Sequence, residues 1–72
     1  MQVGDLVVVT LDAYARYMRE GSVLYVNEVW GHGVVAGTKR DLPAHHNSGK
    51  DFNLFFYNHQ VRLASLEERN RA

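Results

Sequence analysis

The chain has 72 residues, no cysteine and equal numbers of basic and acidic side chains, eight of each, together with four histidines. This length allows one small domain, and the lack of cysteine excludes stabilisation by disulfides or by a thiolate zinc site. Because proteins that bind phosphate backbones usually carry a basic excess, the neutral balance counts against indiscriminate nucleic-acid binding but allows a local basic patch.

The first predicted elements are a strand and a helix. Residues 6–10 are rich in β-branched side chains, which predicts a strand with Val7 and Val9 on one face. The apolar spacing then becomes i, i+3, i+4, i+7, which predicts one short helix over about 11–20 that ends at Gly21. The apolar face of this helix contains Leu11, Tyr14, Ala15 and Met18.

The rest of the chain returns to strand character. A glycine-bearing turn at Gly31–Gly33 separates two β-rich runs and predicts a hairpin. A polar stretch follows at 38–51, and its composition predicts a long exposed loop. Residues 58–60 form a one-turn connector. The predicted strands lie at 22–30, 34–36, 53–57 and 61–64.

These elements predict a mainly β fold with one short helix inserted after the first strand. Five short strands suit a small barrel or two packed sheets. Residues 1–65 are expected to form this single domain. The charged segment 66–72 has no apolar contact residue at its end, so we expect it to fray.

The order of elements resembles the Src-homology-3-like barrels, especially their KOW-type subset of ribosomal proteins and transcription elongation factors. The matching residues are Gly4, Asp5, Val7, Val9, Gly21, Val23 and Val26. The connector at 58–60 is also similar to the short helical turn that such barrels place before their last strand. The resemblance implies a five-stranded barrel and a link to the transcription or translation machinery. It carries over no RNA-binding residues, because the predicted helix replaces the short basic turn of KOW modules.

The sequence predicts no enzyme. Small barrels of this kind include the type II dihydrofolate reductases, which line a shared pore with a Val-Gln-Ile-Tyr strand from each of four subunits. The comparable residues 54–57 lack the glutamine, so an oligomeric reductase stays only as an alternative. No paired carboxylates or nucleophile motif is recognisable. The adjacent His45 and His46 point apart on an extended chain, and we predict neither a metal nor a cofactor.

Aromatic and basic side chains are the strongest functional signal. Phe55 and Phe56 are consecutive on a strand and therefore face opposite ways, so the same core cannot hold both rings. Lysines and arginines add a local positive charge around the polar loop. The predicted partner-binding residues are Arg16, Tyr17, Arg19, Trp30, Lys39, Arg40, Lys50, Phe56 and Arg62.

We therefore predict a non-enzymatic interaction module, a small accessory or regulatory protein of a bacterium or phage that binds a protein partner. The alternative is direct nucleic-acid binding, with Trp30 or Phe56 stacking on bases and the basic side chains contacting phosphate. A homo-oligomer formed through an exposed sheet edge is a third hypothesis. No apolar run approaches the roughly 20 residues that cross a bilayer, and no signal-peptide pattern is present, so we expect a soluble cytoplasmic protein.

Overall fold

The computed structural model describes residues 1–11, 20–43 and 47–71 of the chain. These residues are mainly β, as predicted. The strands are β1 (Leu6–Val9), β2 (Val23–Trp30), β3 (Gly33–Gly37), β4 (Asn47–Ser48), β5 (Asp51–Tyr57) and β6 (Val61–Leu63). A 3₁₀ helix, η1 (Asn58–Gln60), precedes β6, and one short α-helix, α1 (Leu66–Arg71), follows it.

The strands form one antiparallel sheet in the order β4-β5-β3-β2-β1-β6. Five strands make up its main part, and the two-residue β4 adds to β5 at one end. The sheet is not closed, because β4 and β6 lie at its two edges. The hairpin predicted around the Gly31–Gly33 turn is confirmed, since β2 pairs with β3.

One face of the sheet, which we call the core face, carries the hydrophobic core. Val7 and Val9 are both completely buried there, which confirms that they share a face. Burying one such side chain stabilises a protein by about 1.5–3 kcal/mol, so a chain of this length depends on each of them. The core contains Val7, Val9, Leu24, Val26, Val34, Ala36, Phe52, Phe56 and Val61.

The opposite face, the outer face, contains a buried polar side chain that the sequence analysis did not single out. Asn53 of β5 is only 1% exposed. Its Nδ2 donates hydrogen bonds to the carbonyls of Leu42 and Pro43, each at 2.9 Å, and its Oδ1 accepts one from Asn27 at 2.9 Å. Asn27 also donates to the carbonyl of Lys39 at 2.9 Å. Two asparagines therefore fasten the first part of the long loop to the sheet.

The charged segment 66–72, for which we expect fraying from its composition, contains helix α1. Ser65 and Glu68 form a reciprocal capping box, in which each side chain accepts a hydrogen bond from the other residue's backbone N–H, at 3.2 and 2.8 Å. Arg62 of β6 donates two further hydrogen bonds to the Glu68 carboxylate, at 2.8 and 2.9 Å. These hydrogen bonds with Arg62 and Ser65 lower the pKa of Glu68 to about 2. One carboxylate thus both caps the helix and fastens it to the sheet.

The helix predicted over 11–20 falls almost wholly on residues 12–19, which lie outside the described residues. Leu11, the first residue of that prediction, is half exposed. Across the ranges that the structure describes, no helix has the length and apolar character needed to span a bilayer.

Candidate functional site

The outer face of β2, β3 and β5 is aromatic at the end where β2 finishes and β3 begins. The strand register places Trp30, Gly33 and Tyr57 side by side in one row across the three strands. In the next row, Phe55 lies directly opposite Val35. Directly opposed residues of an antiparallel sheet project on the same side, so these rings share one surface. We call it the aromatic surface; its members are Trp30, His32, Phe55, Tyr57 and His59.

Gly33 makes this arrangement of rings possible. A Cβ atom at Gly33 would lie 2.5 Å from Cζ of Phe55 and 2.3 Å from the backbone oxygen of Phe56. The Phe55 ring therefore leans over the space that any larger residue would fill. Trp30 and Tyr57 flank the same glycine, and each is 51% exposed.

Two histidines extend the aromatic surface at the turn and at η1. The ring centroid of His32 lies 5.3 Å from that of Phe55 and 6.0 Å from that of Tyr57. Phe55 and Tyr57 meet edge to face at 5.1 Å, whereas Tyr57 and His59 stack at 5.8 Å with only 12° between their planes. Edge-to-face and offset-stacked arrangements are those that aromatic rings favour. The four rings form one contiguous cluster that faces solvent.

Backbone hydrogen bonds fix the segments that carry these rings. The N–H of Asn58 donates to the carbonyl of His32 at 3.1 Å, which ties η1 to the β2–β3 turn. The backbone N–H of Tyr57 donates to Oε1 of Gln60 at 2.9 Å, and Thr10 donates from its hydroxyl to the carbonyl of His59 at 3.1 Å. The turn, η1 and the end of β1 are therefore joined beneath the aromatic surface.

Two of the predicted partner-binding aromatic residues differ in their exposure to solvent. Trp30 is exposed, as a partner-binding ring must be. Phe56 is completely buried in the core, so its place among the partner-binding residues is wrong. Alternation along β5 directs Phe52 and Phe56 inward and Phe55 and Tyr57 outward. The outer rings of β5 are thus Phe55 and Tyr57.

Two of the predicted basic residues, Lys39 and Arg40, lie away from the aromatic surface. Lys39 forms an ion pair of 3.2 Å with Asp51, at the opposite end of β5 from Tyr57. The guanidinium of Arg40 lies over the ring of Tyr25, with Cζ 5.0 Å from the ring centroid. The structure therefore does not bring the loop cations and the exposed tryptophan together.

Two more predicted cations have clear positions. Lys50 is exposed in the turn between β4 and β5. Arg62 is paired with Glu68, and its hydrogen bond to that carboxylate raises the pKa of Arg62 above its ordinary value. The predicted site residues Arg16, Tyr17 and Arg19 lie outside the described residues, as do His45 and His46.

His32 and His59 are members of the aromatic surface that the sequence analysis did not place there. They are far apart in the chain, yet both contact Tyr57. No local sequence pattern links them, because the pairing of β3 with β5 is what sets the β2–β3 turn beside the end of β5. Among the residues that the structure describes, no three His, Asp or Glu side chains are grouped so that they could hold a metal ion.

Comparison of the chain with protein-family models, with curated proteins and with solved structures finds no match. Any interpretation of the aromatic surface therefore depends on its geometry and on general physical chemistry.

Proposed function

We propose that the protein is a non-enzymatic interaction module that binds a protein partner through the aromatic surface. The observation that carries the proposal is the pair of half-exposed rings, Trp30 and Tyr57, held on either side of Gly33. Large aromatic side chains are enriched at the centres of protein interfaces, where their burial supplies much of the binding free energy. A rigid surface also loses little conformational entropy when a partner binds.

The charges on the molecule favour a protein over a nucleic acid as the partner. Lys39 and Arg62 are already paired with carboxylates, and Arg40 lies over Tyr25, which is in the row of Gly37 and outside the rows that hold the rings. Glu28 lies on the outer face opposite Val35, in the same row of the sheet as Phe55. A binding site for single-stranded nucleic acid combines stacking rings with a basic groove that follows the phosphates. The rings here have no such cations in the same rows of the sheet.

We further propose that the fold is a Src-homology-3-like relative, a class that is typical of binding modules. The order β6-β1-β2-β3-β5 and the position of η1 just before the last strand support this relationship. Under this proposal the KOW-type resemblance makes components of the transcription or translation machinery the first partners to test. The protein would act by occupying a surface of its partner, as an accessory or regulatory factor of a bacterium or phage.

The test compares partner capture by the wild-type protein and by two variants. Trp30→Ala combined with Tyr57→Ala removes the two flanking rings, whereas Leu66→Ala is a matched control. Leu66 is also an exposed apolar side chain, 68% accessible, but it lies on α1. A protein retained by the wild type and the control is then purified and its dissociation constant measured. We expect the double variant to weaken binding at least about tenfold, since interface aromatics are frequent hot spots.

Retained affinity in the double variant would refute the proposal. Oligonucleotides provide the second arm of the test, with the fluorescence of Trp30 as the signal. Saturable quenching that weakens steeply as salt rises would establish nucleic-acid binding instead. A flat signal at low salt, together with partner loss in the double variant, supports the protein partner.

A further inference from the structure

A second candidate site lies away from the aromatic surface, between the loop after β3 and helix α1. A surface cleft of about 350 Å³ opens there, and two arginines, Arg40 and Arg69, are among the residues that line it. The remaining lining residues are Gly4, Asp5, Leu6, Leu63 and Ala64. The geometry points to a binding site for a small oxyanion, a phosphate or carboxylate group, held between the two arginines.

Arg40 is positioned for this role by an aromatic ring. Its guanidinium lies over Tyr25, with Cζ 5.0 Å from the ring centroid. A cation–π contact attracts a guanidinium to an aromatic ring without pairing its charge with a carboxylate. Tyr25 therefore restrains Arg40 while leaving its positive charge unpaired.

Arg69 is brought to the cleft by the fastening of α1. The neighbouring residue, Glu68, is bound by two hydrogen bonds from Arg62 and caps the helix through Ser65. The backbone N–H of Arg69 donates to the carbonyl of Ser65 at 2.9 Å. The backbone that carries the second guanidinium is thus fixed to the sheet.

The lining of the cleft contains two cationic side chains and one carboxylate. Neither Arg40 nor Arg69 forms an ion pair with any carboxylate in the described parts of the chain. The one acidic group in the lining, Asp5, accepts a hydrogen bond from the backbone N–H of Gln2 at 2.8 Å. The backbone N–H groups of Gly4 and Ala64 already donate to carbonyls. The two guanidiniums are therefore the donors left for a ligand.

Two like charges that line one cleft repel each other, and an oxyanion between them removes that repulsion. Guanidinium groups bind carboxylates and phosphates through paired, charge-assisted hydrogen bonds. Inorganic phosphate and succinate are suitable probes, since each is a small, negatively charged oxyanion near neutral pH. The site is independent of the aromatic surface, so either proposal can fail while the other stands.

The experiment is a titration of the ¹⁵N-labelled protein with phosphate or succinate, followed by two-dimensional NMR at constant ionic strength. We expect saturable shifts of the Nε–H signals of Arg40 and Arg69 and of the Ala64 amide. Arg40→Gln and Arg69→Gln should each weaken binding at least about tenfold. Tyr25→Leu keeps both charges but removes the stacking, and should weaken binding several-fold.

Arg71→Gln is the matched control. Arg71 belongs to the same helix and is paired with Glu67 at 3.2 Å, so its replacement changes the net charge equally without altering the cleft. Its affinity should remain within about twofold of the wild type, because long-range effects of exposed charges are screened by salt. Equal weakening in Arg71→Gln, or the absence of saturable shifts with both anions in the folded wild type, would overturn the inference.

Discussion

Replacing Asn53 by alanine should destabilise the protein by about 2–3 kcal/mol. Asn53 makes three side-chain hydrogen bonds, two to the carbonyls of Leu42 and Pro43 and one from Asn27, and it is 1% exposed. A hydrogen bond contributes about 1 kcal/mol net, and partners left unsatisfied in a buried place cost more. Pro43 is exposed, so water can hydrogen-bond its carbonyl in the variant and recover part of the lost free energy. For a domain of this size the change lowers Tm by roughly 10 to 20 °C.

Urea unfolding measures this effect, with far-ultraviolet circular dichroism as the signal and linear extrapolation to zero denaturant. Asn58→Ala is the matched control, because it removes the same chemical group at an exposed position. The Asn58 side chain makes one long hydrogen bond, 3.4 Å, to the carbonyl of Gly31, so we expect a loss below about 0.5 kcal/mol. If both variants lose the same free energy at an unchanged m-value, the assignment of Asn53 as the fastening of the long loop fails.

Two further predictions concern Gly33 and Glu68. Gly33→Ala should destabilise the protein by about 1–3 kcal/mol in the same urea assay, because the added Cβ would overlap a backbone oxygen. Gly31→Ala is the control and should be nearly neutral, because the space around Gly31 is open. The pKa of Glu68 falls from an ordinary 4.5 to about 2 on folding, so the ionised carboxylate stabilises the attachment of α1. This contribution is complete above pH 4.5 and disappears as the pH falls towards 2. The protection factor of the Arg69 amide, which is the exchange rate of an unstructured chain divided by that of the amide at the same pH, should fall over that window in the wild type but not in Glu68→Gln; parallel profiles would contradict this role of the carboxylate.

The backbone framework was largely accessible from the sequence, because it depends on short-range patterns. The alternation of Val7 and Val9 identified a core-facing pair, and the glycine-bearing turn before β3 identified a hairpin. The connector at 58–60 is the 3₁₀ helix η1. In each case, the local spacing of apolar or turn-forming residues carries the information.

The candidate site was only partly accessible, because its residues meet through strand register. The pleat shows that Phe55 and Phe56 point opposite ways, but only pairing with β3 decides which ring is inside. The same pairing brings His32 to Tyr57, over a distance in sequence that no local pattern covers. Composition likewise indicates a local positive charge around the polar loop, but it does not show that Lys39 lies at the opposite end of β5 from Tyr57.

Helix α1 is a different case, because its signal was present in the sequence. Ser65 and Glu68 have the spacing of a capping box, in which a serine is followed three residues later by a glutamate. The strongly charged composition obscured that signal, since charged ends usually fray. The hydrogen bonds from Arg62 add a contact from β6 that composition does not reveal.

The open sheet has a consequence for how the chain behaves at high concentration. On one side the border strand is β6, with three residues, which offers a neighbouring chain only a short row of backbone hydrogen-bonding groups. Natural sheets use such short borders to discourage fibre-like stacking of one molecule on the next. On the other side the two-residue β4 pairs only with Asp51 and Phe52 of the seven-residue β5, so the aromatic half of β5 extends beyond it and is the longer template for association between copies.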